Sequence, residues 1–179
     1  MDDRPPVLTD TLHACKAWLR THWEKGARCP CCNQFTRKYN RQINRGMVNA
    51  LARMLQAGGG TAPSIPVHLP SVVSRTSTDF SAVASHFGLI EEEKLFREDG
   101  GRAGWWRVTV KGEHFLNGSL TIPRYVHLYN CECLGFSGRQ WSVHDAYKET
   151  FNLRELMNTV SISLVPWLML GLAATRQRS

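Results

Sequence analysis

From Lys25 to Thr78 the chain contains no Asp or Glu, yet it carries eight cations there: Lys25, Arg28, Arg37, Lys38, Arg41, Arg45, Arg53 and Arg75. A fold built on this stretch has to keep those charges in solvent, because an unpaired charge is too costly to bury. The stretch contributes +8 and the whole chain +7, so the remainder nets to −1 and the charge is segregated rather than spread. Segregated positive charge attracts a polyanion. The plainer alternative is a solvated basic face.

The 179 residues, 42% of them hydrophobic, suit one ordinary domain or two small ones rather than a disordered chain. Met1 to Pro6 is short, polar and acidic, without the basic region and apolar run of a secretory signal, so a cytoplasmic location is expected. In a reducing compartment six cysteines are more naturally thiols or metal ligands than disulfides. Cys29-Pro30-Cys31-Cys32 contains the Cys-x-x-Cys spacing of a zinc knuckle, a tight turn that brings two thiolates to one ion, with Pro30 stiffening it. Cys131 and Cys133 are the expected second pair, which gives a structural zinc site of Cys29, Cys32, Cys131 and Cys133. Cys15 and His22 on the preceding helix are the alternative ligands, and Cys31 can replace either neighbour. Free, partly buried thiols are the bland alternative.

Thr9 or Asp10 is expected to cap a first helix in which Leu12, Cys15, Leu19 and Trp23 recur at helical spacing, ending at Gly26. A second helix is expected from Tyr39 to Ala57, burying Ile43, Met47, Leu51 and Met54 and aligning Arg37, Arg41 and Arg45 as a basic ridge. Gly58, Gly59 and Gly60 stop it, and the proline-rich stretch to Pro70 allows at most a short strand at Ile65 to Leu69. Thr78 or Asp79 opens a short helix with Phe80, Val83, Ala84 and Phe87 inward, Ser81, Ser85 and His86 outward, and Gly88 as its stop. Leu89-Ile90 and Trp105 to Val110 then form two antiparallel strands around the turn Asp99-Gly100-Gly101. Trp105 and Trp106 point to opposite faces there. A strand at Tyr125 to Tyr129, a glycine-containing loop up to Trp141, a short helix near Ser142 and a last helix from Leu153 complete the chain, the last capped by Asn152 with Glu155.

Helix, strand, loop, strand is a winged-helix order, and Val108-Thr109-Val110-Lys111-Gly112 followed by Glu113 to Leu116 resembles the strand-to-helix exit of winged helix-turn-helix regulators of the multiple-antibiotic-resistance type. More broadly, Gly26-Ala27-Arg28-Cys29-Pro30-Cys31-Cys32, Tyr39-Asn40-Arg41, Asp79-Phe80 to Gly88-Leu89-Ile90-Glu91, and Trp106-Arg107-Val108-Thr109 resemble small uncharacterised winged-helix proteins of bacteriophages and prophages. Ile122-Pro123-Arg124-Tyr125-Val126 and Phe151 to Met157 extend that resemblance over about Leu12 to Met157. It implies a fold and an origin rather than an activity. The expected architecture is therefore α+β: an N-terminal helix and knuckle at 7–36, a winged helix at 37–118, a strand and helix extension packed on it at 119–159, and an apolar tail at 160–179.

The tail, apolar from Val160 to Ala174 except for Ser161 and Ser163, spans about 15 residues against the roughly 17 to 25 needed to cross a bilayer. Pro166 sits inside it, so it is expected to be buried or covered by a partner, with a membrane-surface anchor as the alternative. No Gly-rich phosphate loop, His-Glu-x-x-His run or nucleophile elbow is present, and no catalytic residues are expected. His144-Asp145 is the one adjacent histidine and carboxylate pair, and its place at a helix start suits capping. The expected activity is non-catalytic binding of double-stranded DNA in gene control or replication, with Arg37, Lys38, Arg41 and Arg45 on phosphates. Arg75, Thr76, Ser77, Ser81 and Ser85 would approach the major groove, and Arg102 would lie on the wing. Glu91, Glu92, Glu93, Glu98 and Asp99 make that wing neutral rather than basic. The alternative is a phage-encoded interaction module that seizes a host protein, including a defence enzyme, through its tryptophans and tail. A second copy of the chain is the remaining partner considered, and a zinc-dependent nuclease is disfavoured for want of a His-rich site.

Overall fold

In the computed structural model, residues 4–7, 9–73, 79–93, 104–148 and 150–159 are described. Arg75, Thr76, Ser77 and Arg102, the turn at 99–101 and the tail at 160–179 lie outside them. The chain is mixed α and β, its strands forming small antiparallel sheets.

The N-terminal helix α1 (Leu12–His22) is capped by Thr11, whose hydroxyl accepts from the Ala14 N–H at 3.2 Å. The cap is neither Thr9 nor Asp10; the Asp10 carboxylate instead closes the preceding turn by accepting from the Val7 N–H. Next come the two-residue strands β1 (Ala27–Arg28) and β2 (Phe35–Thr36), paired antiparallel around the cysteine turn. β3 (Tyr39–Arg41) and α2 (Arg45–Ala57) occupy the place of the single helix expected from Tyr39. Asn44 decides the boundary: its backbone is extended and its side chain accepts from the Met47 N–H at 3.1 Å, so the helix starts after it. The backbone of β3 is drawn into a ladder with a strand more than 80 residues later, Tyr39 opposite Leu128 and Arg41 opposite Val126. Arg37, Arg41 and Arg45 therefore do not share a helix face.

β4 (Val67–His68) runs into the short helix α3 (Leu69–Val72), followed by α4 (Phe80–His86), β5 (Ile90–Glu92), β6 (Trp105–Val108) and α5 (Val110–Leu116). β6 lies between β4 and β5, antiparallel to both. Ser64 continues this ladder: its N–H donates to the Val108 carbonyl at 3.0 Å and its hydroxyl accepts from the Val108 N–H at 2.9 Å, which satisfies the one buried polar side chain among the described residues. Thr109 joins two elements, accepting from the Gly112 N–H as the cap of α5 while its hydroxyl donates to the carbonyl of Gly88, the left-handed residue (φ +72°) that ends α4.

A second sheet has the order β3-β7-β8, with β7 (Ile122–Tyr129) and β8 (Glu132–Trp141) forming a long hairpin. β8 replaces the loop expected before Trp141. Its glycines, which argue for a loop locally, are absorbed as irregularities of the ladder, Gly135 and Gly138 taking positive φ. α6 (Val143–Tyr147) and α7 (Leu153–Thr159) follow, α7 tied to α2 by the Gln56 amide donating to the Met157 carbonyl at 2.7 Å.

One apolar core serves the described elements from Ile43 onward: Val48, Leu51, Met54 and Leu55 of α2 meet Phe80, Val83 and Phe87, Phe115 and Leu116, Val126, and Val143. Segments 37–118 and 119–159 both contribute to it. Cys15 and Leu19, the two buried residues of α1, lie outside it.

Gly112 is pinned into this core. A Cβ there would stand 2.2 Å from the Leu89 carbonyl oxygen and 2.9 Å from Val108. Gly112→Ala is expected to cost about 3 kcal/mol, since neither backbone nor core side chain has room to yield. The exposed Lys111→Ala should stay within about 0.5 kcal/mol of wild type in the same urea unfolding series.

Candidate functional site

The acid-free stretch is partly neutralised by the two acids that bound it. Lys38 forms an ion pair with Glu24, and Arg41 pairs with Asp79 at 3.2 Å. Because Asp79 is the residue from which α4 starts, the second pair sets the Arg41 guanidinium beside the first turn of that helix. Arg37 lies elsewhere, lining a pocket near the cysteine turn, and the Arg45 guanidinium stacks 4.7 Å from the Tyr147 ring centroid. The four ridge cations are thus dispersed over several elements, with Arg41 the one placed at α4.

α4 buries Phe80, Val83 and Ala84 and leaves Ala82 exposed, with Ser81, Ser85 and His86 half-buried. The expected inward face is present, whereas the residues expected outward are only partly exposed. Phe136 of β8 stacks at 5.5 Å on Phe87 at the end of α4, so the second sheet flanks the helix near both ends. Across the first sheet Arg107 is held by Glu91 at 2.5 Å and Glu93 at 3.9 Å, and with Glu92 beside them the root of the 93–104 connection is net acidic. Trp106 packs on the core, while Trp105 on the opposite face meets the His68 ring at 5.7 Å.

The cysteine turn is built by local hydrogen bonds. Cys29 N–H donates to the Gln34 carbonyl and Asn33 N–H to the Cys29 carbonyl, both at 2.8 Å, with Asn33 in the left-handed region (φ +59°) that lets the chain reverse. The backbone N–H groups of Cys32 and Cys31 donate to the Cys29 sulfur, which holds its thiol below the usual range. Cys15 beside the Cys31 thiol, with some desolvation and the Cys29 sulfur, pushes that thiol up to about 11. Cys15, Cys29, Cys31 and Cys32 thus line one pocket of about 670 Å³ together with Lys16, Arg20 and Arg37.

The expected partners of the knuckle, Cys131 and Cys133, do not line that pocket; both are exposed at the start of β8, and the hairpin reaches the pocket through Tyr129 and Asn130. His22 is committed to Trp18, its Nδ1 2.8 Å from that carbonyl and its ring stacked at 4.1 Å. Among the described residues no group of three or more His, Cys, Asp or Glu side chains stands ready-assembled as a metal site. No helix among them is long and apolar enough to cross a membrane.

Comparison with family models, with curated proteins and with solved structures finds no match to the chain. Its function therefore has to be argued from these residues.

Sequence reasoning missed a polar row across the second sheet, where His127 lies 2.7 Å from both Asn40 and Ser137. It also missed Arg124 and Arg139, whose guanidinium groups stack on Trp141 at 4.5 and 4.8 Å. Nothing local signals these groupings, since each depends on strand register.

The pair His144-Asp145 resolves into a cap. Ser142 and Asp145 form a reciprocal capping box on α6, and Arg139 adds an ion pair to Asp145 at 2.6 Å. The Arg139 guanidinium and then the Ser142 donors hold the Asp145 carboxyl well below the usual carboxylate range. A carboxylate depressed in the folded state stabilises the fold above its unfolded value, near about 3.9, and that contribution fades as pH falls through the folded value. Asp145→Asn should therefore lower the urea midpoint at neutral pH and converge on wild type under strongly acidic conditions. Ser142→Ala should cost about 1 kcal/mol.

Proposed function

We propose that the segment from α2 to β6 is a winged helix that binds double-stranded DNA without catalysis. The observation that carries this is the strand order β4-β6-β5, with α2 before the sheet, α3 and α4 between its first two strands, and the 93–104 connection as the wing. In that arrangement the second of the two inner helices enters the major groove. α4 is that helix, with Ser81 and Ser85 towards the bases and Arg41 at its first turn towards a phosphate. The net charge of +7 supports a polyanionic partner, and the acidic wing root, Glu91, Glu92 and Glu93 against Arg107, places the burden of contact on α4 and its flanks.

A second reading, capture of a protein partner, is favoured by one feature. β8 is an edge strand of ten residues that leaves Leu134 and Phe136 42% and 46% exposed. An unpaired edge with apolar side chains is a template for strand addition.

Arg41→Gln is expected to weaken binding of a labelled random-sequence duplex and to reduce the slope of log affinity against log salt by about one. Ser81→Asp with Ser85→Asp should abolish binding by setting two carboxylates against the groove. Duplex affinity and salt slope unchanged by both variants would reject α4 as the contact helix.

A further inference from the structure

We propose that the pocket between α1 and the cysteine turn is a zinc-class metal site whose ligands are the thiolates of Cys15, Cys29, Cys31 and Cys32. Cys131 and Cys133 take no part. The proposal stands independently of DNA binding.

The chemistry of the lining selects the ion. Four sulfurs and no carboxylate line the pocket, which suits a soft or borderline ion with tetrahedral preference and excludes the oxygen-seeking calcium and magnesium. Lys16, Arg20 and Arg37 line the same pocket and offset the negative charge that several thiolates bring to one ion. All four sulfur-bearing residues line the one pocket. Cys31 and Cys32 are exposed, so their side chains are free to turn onto a shared ion.

The packing supplies a second, independent argument. Between residues 9 and 36 the buried residues are Cys15 and Leu19, and neither belongs to the main core. α1 and the β1–β2 turn thus have few fully buried apolar side chains to hold them together, the situation in which small units rely on a staple. Cys15 is one of those two buried side chains and comes from the helix, while the other three thiols come from the turn. One ion shared between them would couple the elements, and its binding free energy would be folding free energy for the unit.

The test is titration of the reduced, metal-stripped full chain with cobalt(II), followed by displacement with zinc(II). One equivalent should raise a sulfur-to-metal charge-transfer band that zinc removes, and hydrogen exchange of α1 amides should slow when metal is present. Cys29→Ser and Cys32→Ser should each lose the stoichiometric band. Cys15→Ala should do the same, and since Cys15 is buried, the half-buried Cys29 and exposed Cys32 carry the test if that variant fails to fold. The double variant Cys131→Ser, Cys133→Ser should keep it. No band in the reduced wild-type chain, a band that survives Cys29→Ser and Cys32→Ser, or a band lost in the Cys131 and Cys133 variant would overturn the assignment.

Discussion

Burial of α2 is the constraint on which the rest of the described chain depends. Met47, Val48, Leu51, Met54 and Leu55 are each less than one-tenth exposed, and they form one core with residues of α4, α5, β6, β7 and α6. Truncating any one large side chain in such a core typically costs about 2 to 5 kcal/mol, a large fraction of a domain's stability of about 5 to 15 kcal/mol. α4 inherits its position from this burial through Phe80, Val83 and Phe87, and Thr109 locks its end to the start of α5. A short helix of marginal intrinsic stability is thereby held on a rigid scaffold. The N-terminal unit is the exception, its two buried residues, Cys15 and Leu19, lying outside that core.

Charge is arranged with the same economy. The acid-free stretch does not meet its counter-charges within itself; Glu24 and Asp79, just beyond its two ends, supply them to Lys38 and Arg41. Arg41 and Asp79 are each about half exposed, and an exposed pair of this kind contributes about 0 to 1 kcal/mol. Exchanging Asp79 for a phosphate oxygen therefore costs Arg41 little. Asp79 keeps the guanidinium near α4, which under the proposed function would position the cation ahead of a duplex. The ion pair is in this sense part of the proposed contact rather than a competitor that defeats it.

What was legible in the sequence was local. The capping pair Asn152 and Glu155, Ser142 before α6, Gly88 after α4 and the apolar spacing of Phe80, Val83, Ala84 and Phe87 each act within a turn or two of chain, and the elements they mark are present. The errors came from distant pairing. Arg37, Arg41 and Arg45 are spaced as on a helix, yet β7 claims the backbone of Tyr39 to Arg41, and Asn44 is the cap from which the helix starts. The glycines of β8 suggest a loop because their partner strand is invisible to a local pattern. The same distinction runs through the site: the Cys29 and Cys32 turn is a matter of spacing, whereas the neighbours it meets are decided by where α1 and the β7–β8 hairpin come to rest. Cys131 and Cys133 are the neighbours the sequence favours, with Cys15 the alternative, and it is Cys15 that lines the pocket beside the turn.

The most direct measurement of the central claim, that α4 is the surface presented to DNA, is backbone amide shift mapping of the isotope-labelled chain titrated with a random-sequence duplex. Perturbations concentrated on Asp79 to Phe87 and on Tyr39 to Arg41 are the predicted result. Perturbations confined to the β8 edge, or none at low salt, would contradict it.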